Sequence, residues 1–180
     1  MNFFEMFIQG LKPAIYRTTL ESEFAKRLPF LVENFPYISS QETEKIVLIP
    51  GAETYVFFQD QEQKERFKKE LEYTEANSPE FHRLLGITLG YPPLAVEFFV
   101  QAKLNPELEK RKVGMYHLGI GCSGDILDLI DNCRWLWDTY KLPEKIDIRL
   151  GTEFVSIPYG QMEELERIKT EYLKTIPQLV

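Results

Sequence analysis

The sequence predicts an α+β fold, in which an antiparallel sheet of about five strands is covered by helices. Two observations carry this prediction: β-prone runs flank glycine-containing turns, and helical patterns occur in blocks rather than in strict alternation with strands. Of the 180 residues, 44% are hydrophobic and 27% are charged, which are the proportions of a globular protein. We therefore expect residues 1–180 to form a single domain.

The amino-terminal third contains two predicted helices. Phe3, Phe4 and Phe7 are spaced so that they share one side of a short helix. That side is expected either to pack on the body of the domain or to contact a partner or a second copy. Residues 20–35 keep helical spacing, and Pro29 is expected to kink or split this second helix.

A hairpin and a charged helix are predicted next. Residues 45–50 and 53–58 are two β-prone runs around a turn at Gly51. Residues 60–75 are charged throughout and have only a thin apolar stripe, so this helix should lie at the surface.

A helical hairpin is expected in the middle of the chain. Ser78 is a suitable amino-terminal cap for its first helix, and Pro92 precedes its second. The alternative of a DNA-reading helix-turn-helix is disfavoured, because the second helix carries Glu97 and has Lys103 as its one cation. The pair is therefore expected to belong to the core.

The remaining chain is predicted to contain both strands and helices. The patterns predict a strand at 113–118, a helix at about 125–140, a hairpin from 145–149 to 153–157, and a final amphipathic helix beginning near Met162.

An internal repeat is suggested by aligning the chain with itself at an offset of 100 residues. Residues 44–69 and 144–169 then share seven identities in 26 positions, where composition alone predicts about one or two. Two helix-hairpin-helix units, at about 20–75 and 125–175, would flank the central helical hairpin. The alternative is that this arrangement is a common local one and not a repeat.

A glycine-rich segment follows the predicted strand at 113–118 and precedes a helix. Its glycines fit the pattern G-x-G-x-x-G, in which backbone amides face a phosphate or a ribose. The segment resembles the loops of dinucleotide-binding and methyl-donor-binding folds, which implies a small-molecule site. Its candidate ligand-binding residues are Gly119, Gly121, Ser123, Gly124 and Asp125. A purely structural glycine turn is the alternative, because the segment lies two-thirds along a chain of hairpins.

The same segment offers a possible thiol nucleophile. Cys122 is predicted to lie at a helix amino terminus, where the dipole lowers a thiol pKa, and His117 is five residues earlier. Asp125 opposes thiolate formation. Cys133 is expected in the core, about 16 Å from Cys122 if the helix is continuous, which is too far for a disulfide.

One face of the predicted helix 125–140 is a candidate partner-binding surface. A tryptophan and three carboxylates share this face: Asp128, Asp131, Trp135 and Asp138. An exposed tryptophan among carboxylates would anchor a basic or aromatic partner. The alternative is that a second packing layer covers the Trp135 ring.

Charge and composition exclude several classes of function. The formal net charge of −7 disfavours nucleic-acid binding. The two histidines, His82 and His117, lack companions at metal-ligand spacing, so we expect no metal and no cofactor. The sequence contains no run long enough for a membrane span, and the amino-terminal residues have no basic leader. With two cysteines, a cytoplasmic protein is the simplest expectation.

Two functions remain open on this evidence. The first is a non-catalytic binding or accessory module that acts through protein–protein contacts, including self-association as a homodimer. The second is a small-molecule-binding enzyme with its site at the glycine-rich segment, using nucleotide, methyl-donor or thiol chemistry.

Overall fold

The computed structural model describes residues 1–176 and confirms a mixed fold of helices and antiparallel sheet. The chain divides into two compact units, an amino-terminal unit of Phe3–Gly90 and a carboxyl-terminal unit from Tyr91 onwards. Each unit has its own sheet, of three and of four strands, so the expected single sheet of about five strands is wrong. The expectation that residues 1–180 form a single domain stays a prediction.

The amino-terminal unit is built from four helices and three strands. They are α1 (Phe3–Ile8), β1 (Ala14–Thr18), α2 (Ser22–Asn34), β2 (Tyr37–Ser39), β3 (Thr54–Phe58), α3 (Gln61–Glu72) and α4 (Pro79–Thr88). The strand order is β1-β3-β2, and both pairings are antiparallel. Asp60 and Ser78 cap α3 and α4, since their side chains accept hydrogen bonds from the amides of Gln63 (2.8 Å) and Phe81 (3.1 Å).

The hairpin predicted at residues 45–58 is only half correct. Its second strand is β3, but Glu44–Ile46 is a 3₁₀ turn, and Val47, Leu48 and Ile49 are 39–46% exposed. The reason is that β3 has two sequence-distant neighbours, β1 on one side and β2 on the other. No edge of β3 is left for residues 45–50.

The phenylalanine-rich amino terminus packs inside its own unit. Phe4 and Phe7 of α1 are buried in a cluster with Phe24 of α2 and Phe57 of β3. The expectation that this side packs on the body of the protein is therefore confirmed. Pro29 does not split the second helix, since α2 continues through it.

The three-stranded sheet is covered on both faces. The side chains of Tyr55 and Phe57 face α1 and α2, whereas the Phe58 ring packs on Phe67 of α3 with 5.4 Å between ring centroids. All five residues of β3 are consequently buried.

The carboxyl-terminal unit has a different arrangement. Its elements are α5 (Pro93–Leu104), β4 (Lys112–His117), β5 (Ile120–Asp125), α6 (Leu129–Tyr140), β6 (Ile146–Leu150), β7 (Glu153–Ile157) and α7 (Met162–Thr175). The strand order is β5-β4-β6-β7. Helices α5 and α6 pack on the sheet face that carries Met115 and Gly124, and α7 packs on α6. The hairpin predicted at 145–157 is confirmed as β6 and β7.

The internal repeat is not confirmed. Residues 146–157 form a hairpin, but residues 46–58 do not, and the two sheets differ in strand order. What the two segments share is a strand followed by a helix, which is a common local arrangement.

No helix within residues 1–176 combines the length and the apolar character needed to cross a lipid bilayer.

We predict that Phe7→Ala strongly destabilises the protein, because the ring is fully buried in the amino-terminal core. The expected loss of unfolding free energy is about 3–5 kcal/mol, measured by urea denaturation. Ile8→Ala on the same helix is the matched control, since Ile8 is 41% exposed and its loss should cost less than about 1 kcal/mol. Equal stabilities for the two variants would contradict the packing of α1.

Candidate functional site

The glycine-rich segment is a strand and not a loop. Residues 120–125 form β5, which pairs antiparallel with β4. The glycines are explained by close packing: a Cβ atom on Gly124 would lie 2.8 Å from Met115 Cε. The predicted phosphate-binding geometry at a helix amino terminus is therefore wrong.

The five candidate ligand-binding residues are distributed over this hairpin. Gly119 lies in the turn, and Gly121 and Ser123 point to the sheet face opposite Gly124. Asp125 is buried, where it forms an ion pair with Arg111 and accepts a hydrogen bond from the Leu127 amide at 3.0 Å. Ligand binding by these residues stays a prediction, without the geometry on which it was based.

Cys122 lies in the middle of β5 and not at a helix amino terminus. Cys122 pairs with Met115 and His117 pairs with Ile120, which places both candidate residues on the helix-covered face as diagonal neighbours. Such neighbours are about 7–8 Å apart between Cα atoms. His117 is 0% exposed. Substrate has no route to its imidazole, and a catalytic role for the pair stays a prediction.

The imidazole of His117 has one hydrogen bond. Its Nδ1 donates to the carbonyl oxygen of Lys145 (3.3 Å), and its Nε2 has no hydrogen-bond partner. Burial lowers the pKa of His117 below its usual value. The side chain is therefore held neutral in the core.

Cys133 is buried on α6, as predicted, and both cysteines are free thiols. Burial, and then the charge of Cys122, raise the pKa of Cys133. The expected separation of about 16 Å does not apply, because it assumed that Cys122 belongs to the same helix.

The acidic face of α6 is partly covered. Trp135 is half-buried and makes an edge contact with Tyr140, with 6.2 Å between centroids. Asp131 and Asp138 are exposed, and Asp128 is half-buried. Burial, followed by the charges of Asp125 and Asp131, raises the pKa of Asp128. Partner binding by this face stays a prediction, and the Tyr140 contact favours the packing alternative for Trp135.

The sheet of the carboxyl-terminal unit has a second face, which we call the open face. Two cross-strand rows of side chains form it, as defined by the register. The first row is Ser123, Gly114, Arg149 and Phe154, and the second is Gly121, Tyr116, Asp147 and Ser156.

The Tyr116 ring packs against two glycines, Gly114 and Gly121. A Cβ atom on Gly114 would be 3.0 Å from Tyr116 Cε2, and one on Gly121 would be 3.0 Å from Tyr116 Cδ1. Both distances are shorter than ordinary van der Waals contact. The absence of side chains at these positions thus lets the ring lie against the backbone of β4 and β5.

A second aromatic ring, that of Phe154, lies beside Tyr116, and we call these two rings the aromatic platform. Phe154 is 62% exposed, and its centroid is 5.8 Å from that of Tyr116 at an interplanar angle of 44°. This separation is within the range of interacting aromatic pairs. Phe154 therefore adds exposed apolar surface beside the Tyr116 ring.

Most charges at the open face are paired. Lys112 is 3.0 Å from Glu109, and Lys145 is 2.9 Å from Asp147. Hydrogen bonds from Lys145 and Ser156 lower the pKa of Asp147.

Two of the residues that define the open face, Tyr116 and Phe154, were not singled out by the sequence. The signal was present, since the strand predicted at 113–118 alternates small and large residues on one side, Gly114 and Tyr116. Their neighbours on β6 and β7 depend on register, which sequence periodicity does not specify between distant strands.

The amino-terminal unit contains a groove of about 720 Å³ between α3 and α4. Phe67 and Leu84 contribute apolar surface, and Tyr73 at its edge is 82% exposed. Its arginines are accompanied by acids, since Arg66 Nη2 is 2.9 Å from Glu62 and the groove also contains Glu70 and Glu80. The groove therefore favours no particular charge in a ligand.

Residues 1–176 contain no cluster of three or more histidine, cysteine or acidic side chains that could hold a metal ion. Comparison with protein-family models, with curated proteins and with solved structures found no match to this chain.

We predict that Gly121→Ala destabilises the protein only while the Tyr116 ring is present. The added methyl group would displace the ring and cost about 1 kcal/mol, whereas in a Tyr116→Ala background it should be neutral or stabilising. A double-mutant cycle measured by urea denaturation gives the coupling energy. Additive effects would show that the ring does not lie on Gly121.

We also predict that His117 makes stability fall in mild acid. Its folded pKa is below the unfolded value, so the unfolded state binds more protons and stability is lost as pH decreases below about 6.5. Unfolding free energies at about pH 7 and pH 5.5 should differ less in His117→Gln than in the wild type. A His117 pKa at or above its ordinary value, measured by NMR titration of the ring signals, would contradict this burial.

Proposed function

We propose that this chain is a non-catalytic binding module that acts through protein–protein contacts, with the open face as its binding surface. The observation that carries the proposal is the exposed ring of Phe154 beside the half-buried ring of Tyr116, on a sheet face whose other side packs on helices. Aromatic side chains are enriched among the residues that dominate binding energy in protein interfaces.

The construction of the platform supports this proposal. Packing against the two glycines fixes the Tyr116 ring before a partner arrives, so little side-chain entropy remains to be lost on binding. Phe154 has only two rotatable side-chain bonds and presents a large apolar area. Such a surface contributes contact energy at a low ordering cost.

The polar groups of the open face are poorly suited to catalysis. Asp147 is the carboxylate of the second row, and its lowered pKa makes it a weak base. Its hydrogen bond with Ser156 and its ion pair with Lys145 are consistent with a structural role.

The alternative of a small-molecule-binding enzyme has lost its main support. It depended on a glycine loop before a helix, and residues 120–125 are a strand. It also depended on His117, which is fully buried.

We propose a cytoplasmic setting for the module, because both thiols are free and a reducing compartment keeps them so. The partner is either a different protein or a second copy of this chain, and one experiment separates these cases.

We predict that a photoreactive benzoylphenylalanine at position 154 crosslinks to one defined partner in the cells that express the protein. The matched control is the same residue at position 104, since Leu104 is 65% exposed in the same unit. Adding Tyr116→Ala should reduce the yield at position 154 by about fivefold, because the platform loses its fixed ring.

The mass of the crosslinked species identifies the partner. A product of twice the mass of the chain indicates self-association through the open face, and another discrete mass indicates a different protein. Equal crosslinking at positions 154 and 104, or none at 154, contradicts the proposed binding surface.

A further inference from the structure

The open face carries one exposed cation, Arg149, that forms no ion pair with the described residues. Arg149 is exposed and has neither an ion pair nor a hydrogen bond from its side chain among the described residues. The other cations near this face are paired, as Arg111 with Asp125 and Lys112 with Glu109. A ligand for this face therefore gains from a single negative charge at one position.

The position of Arg149 relates that charge to the aromatic platform. Arg149 lies between Gly114 and Phe154 in the first row, and a Cβ atom on Gly114 would be 3.2 Å from Arg149 Cβ. Tyr116 is its diagonal neighbour across the pairing of β4 with β6. Diagonal neighbours are about 7–8 Å apart.

The cation and the two rings are adjacent on the open face. Tyr116 Oη and Arg149 Cβ each lie 3.2 Å from the position that a Cβ atom on Gly114 would occupy, and Phe154 lies opposite Arg149 in the register. A carboxylate of a peptide would meet the Arg149 guanidinium, whose planar donors suit a bidentate carboxylate. An apolar or aromatic side chain close to it in the peptide would then contact Tyr116 and Phe154.

The charge pattern favours an acidic peptide over a nucleic acid. Binding along a phosphate backbone requires a series of cations. The open face offers one unpaired cation, on a chain of net charge −7. A peptide that supplies one carboxylate fits these observations better.

We propose that the open face binds a peptide segment in which an aspartate or glutamate is close in sequence to an aromatic or large apolar side chain. The carboxylate pairs with Arg149, and the apolar side chain packs on Tyr116 and Phe154. This inference rests on the proposed function and adds the chemistry of the partner.

The test is selection of linear peptides from a random phage-displayed library on the immobilised full-length chain. The selected peptides should be enriched in an acidic residue close in sequence to an aromatic or large apolar one. Synthetic copies should bind about tenfold more weakly to Arg149→Glu, and this difference should decrease at high salt. Arg134→Glu is the matched control, because Arg134 is an exposed arginine on α6 in the same unit.

The outcomes separate the inference from the proposed function. Peptides that require Tyr116 and Phe154 but lack acidic residues and bind Arg149→Glu equally well would overturn the inference and leave the binding surface intact. Selection of no peptide that depends on Tyr116 or Phe154 would overturn both. Binding of single-stranded oligonucleotides that is lost in Arg149→Glu, together with no acidic peptide, would assign the face to nucleic acid and overturn the inference.

Discussion

The contact on which the account of this protein depends is that of the Tyr116 ring with Gly114 and Gly121. These two glycines lie on neighbouring strands, and a Cβ atom at either would lie 3.0 Å from the ring, which would have to shift by a few tenths of an ångström. With the ring in place, its outer face and Phe154 form a fixed aromatic surface beside Arg149. Gly121 therefore has a packing role, although it also fits the glycine pattern of a nucleotide-binding loop.

The sheets of the two units differ in how many of their faces are covered. In the amino-terminal unit, phenylalanines fill both faces of the sheet, and β3 is buried throughout. In the carboxyl-terminal unit, helices cover one face, and the other carries glycine, serine and charged side chains with the exposed Phe154 and the half-buried Tyr116. The open face is not needed for the core and is therefore available for binding a partner. For this reason we assign the proposed function to the carboxyl-terminal unit.

Local sequence signals predicted the parts of the fold that depend on local contacts. The hairpin at Gly151 and the cap at Ser78 are formed by residues close in the chain. Residues 45–50 were wrongly predicted as a strand, because β3 pairs with strands distant in sequence and composition does not identify them. The open face was not predicted for the same physical reason. Its rows join β4 to β6 and β7, which are separated from β4 in the sequence by helix α6.

The most direct test is the set of NMR nuclear Overhauser contacts between the Tyr116 ring protons and the glycine Hα protons at positions 114 and 121. Because a Cβ atom at either glycine would lie 3.0 Å from a ring carbon, both glycines should show strong Hα contacts to the ring protons. Absence of both contacts in the wild type would show that the ring does not pack against these glycines. The aromatic platform, and the binding function assigned to it, would then lack their structural basis.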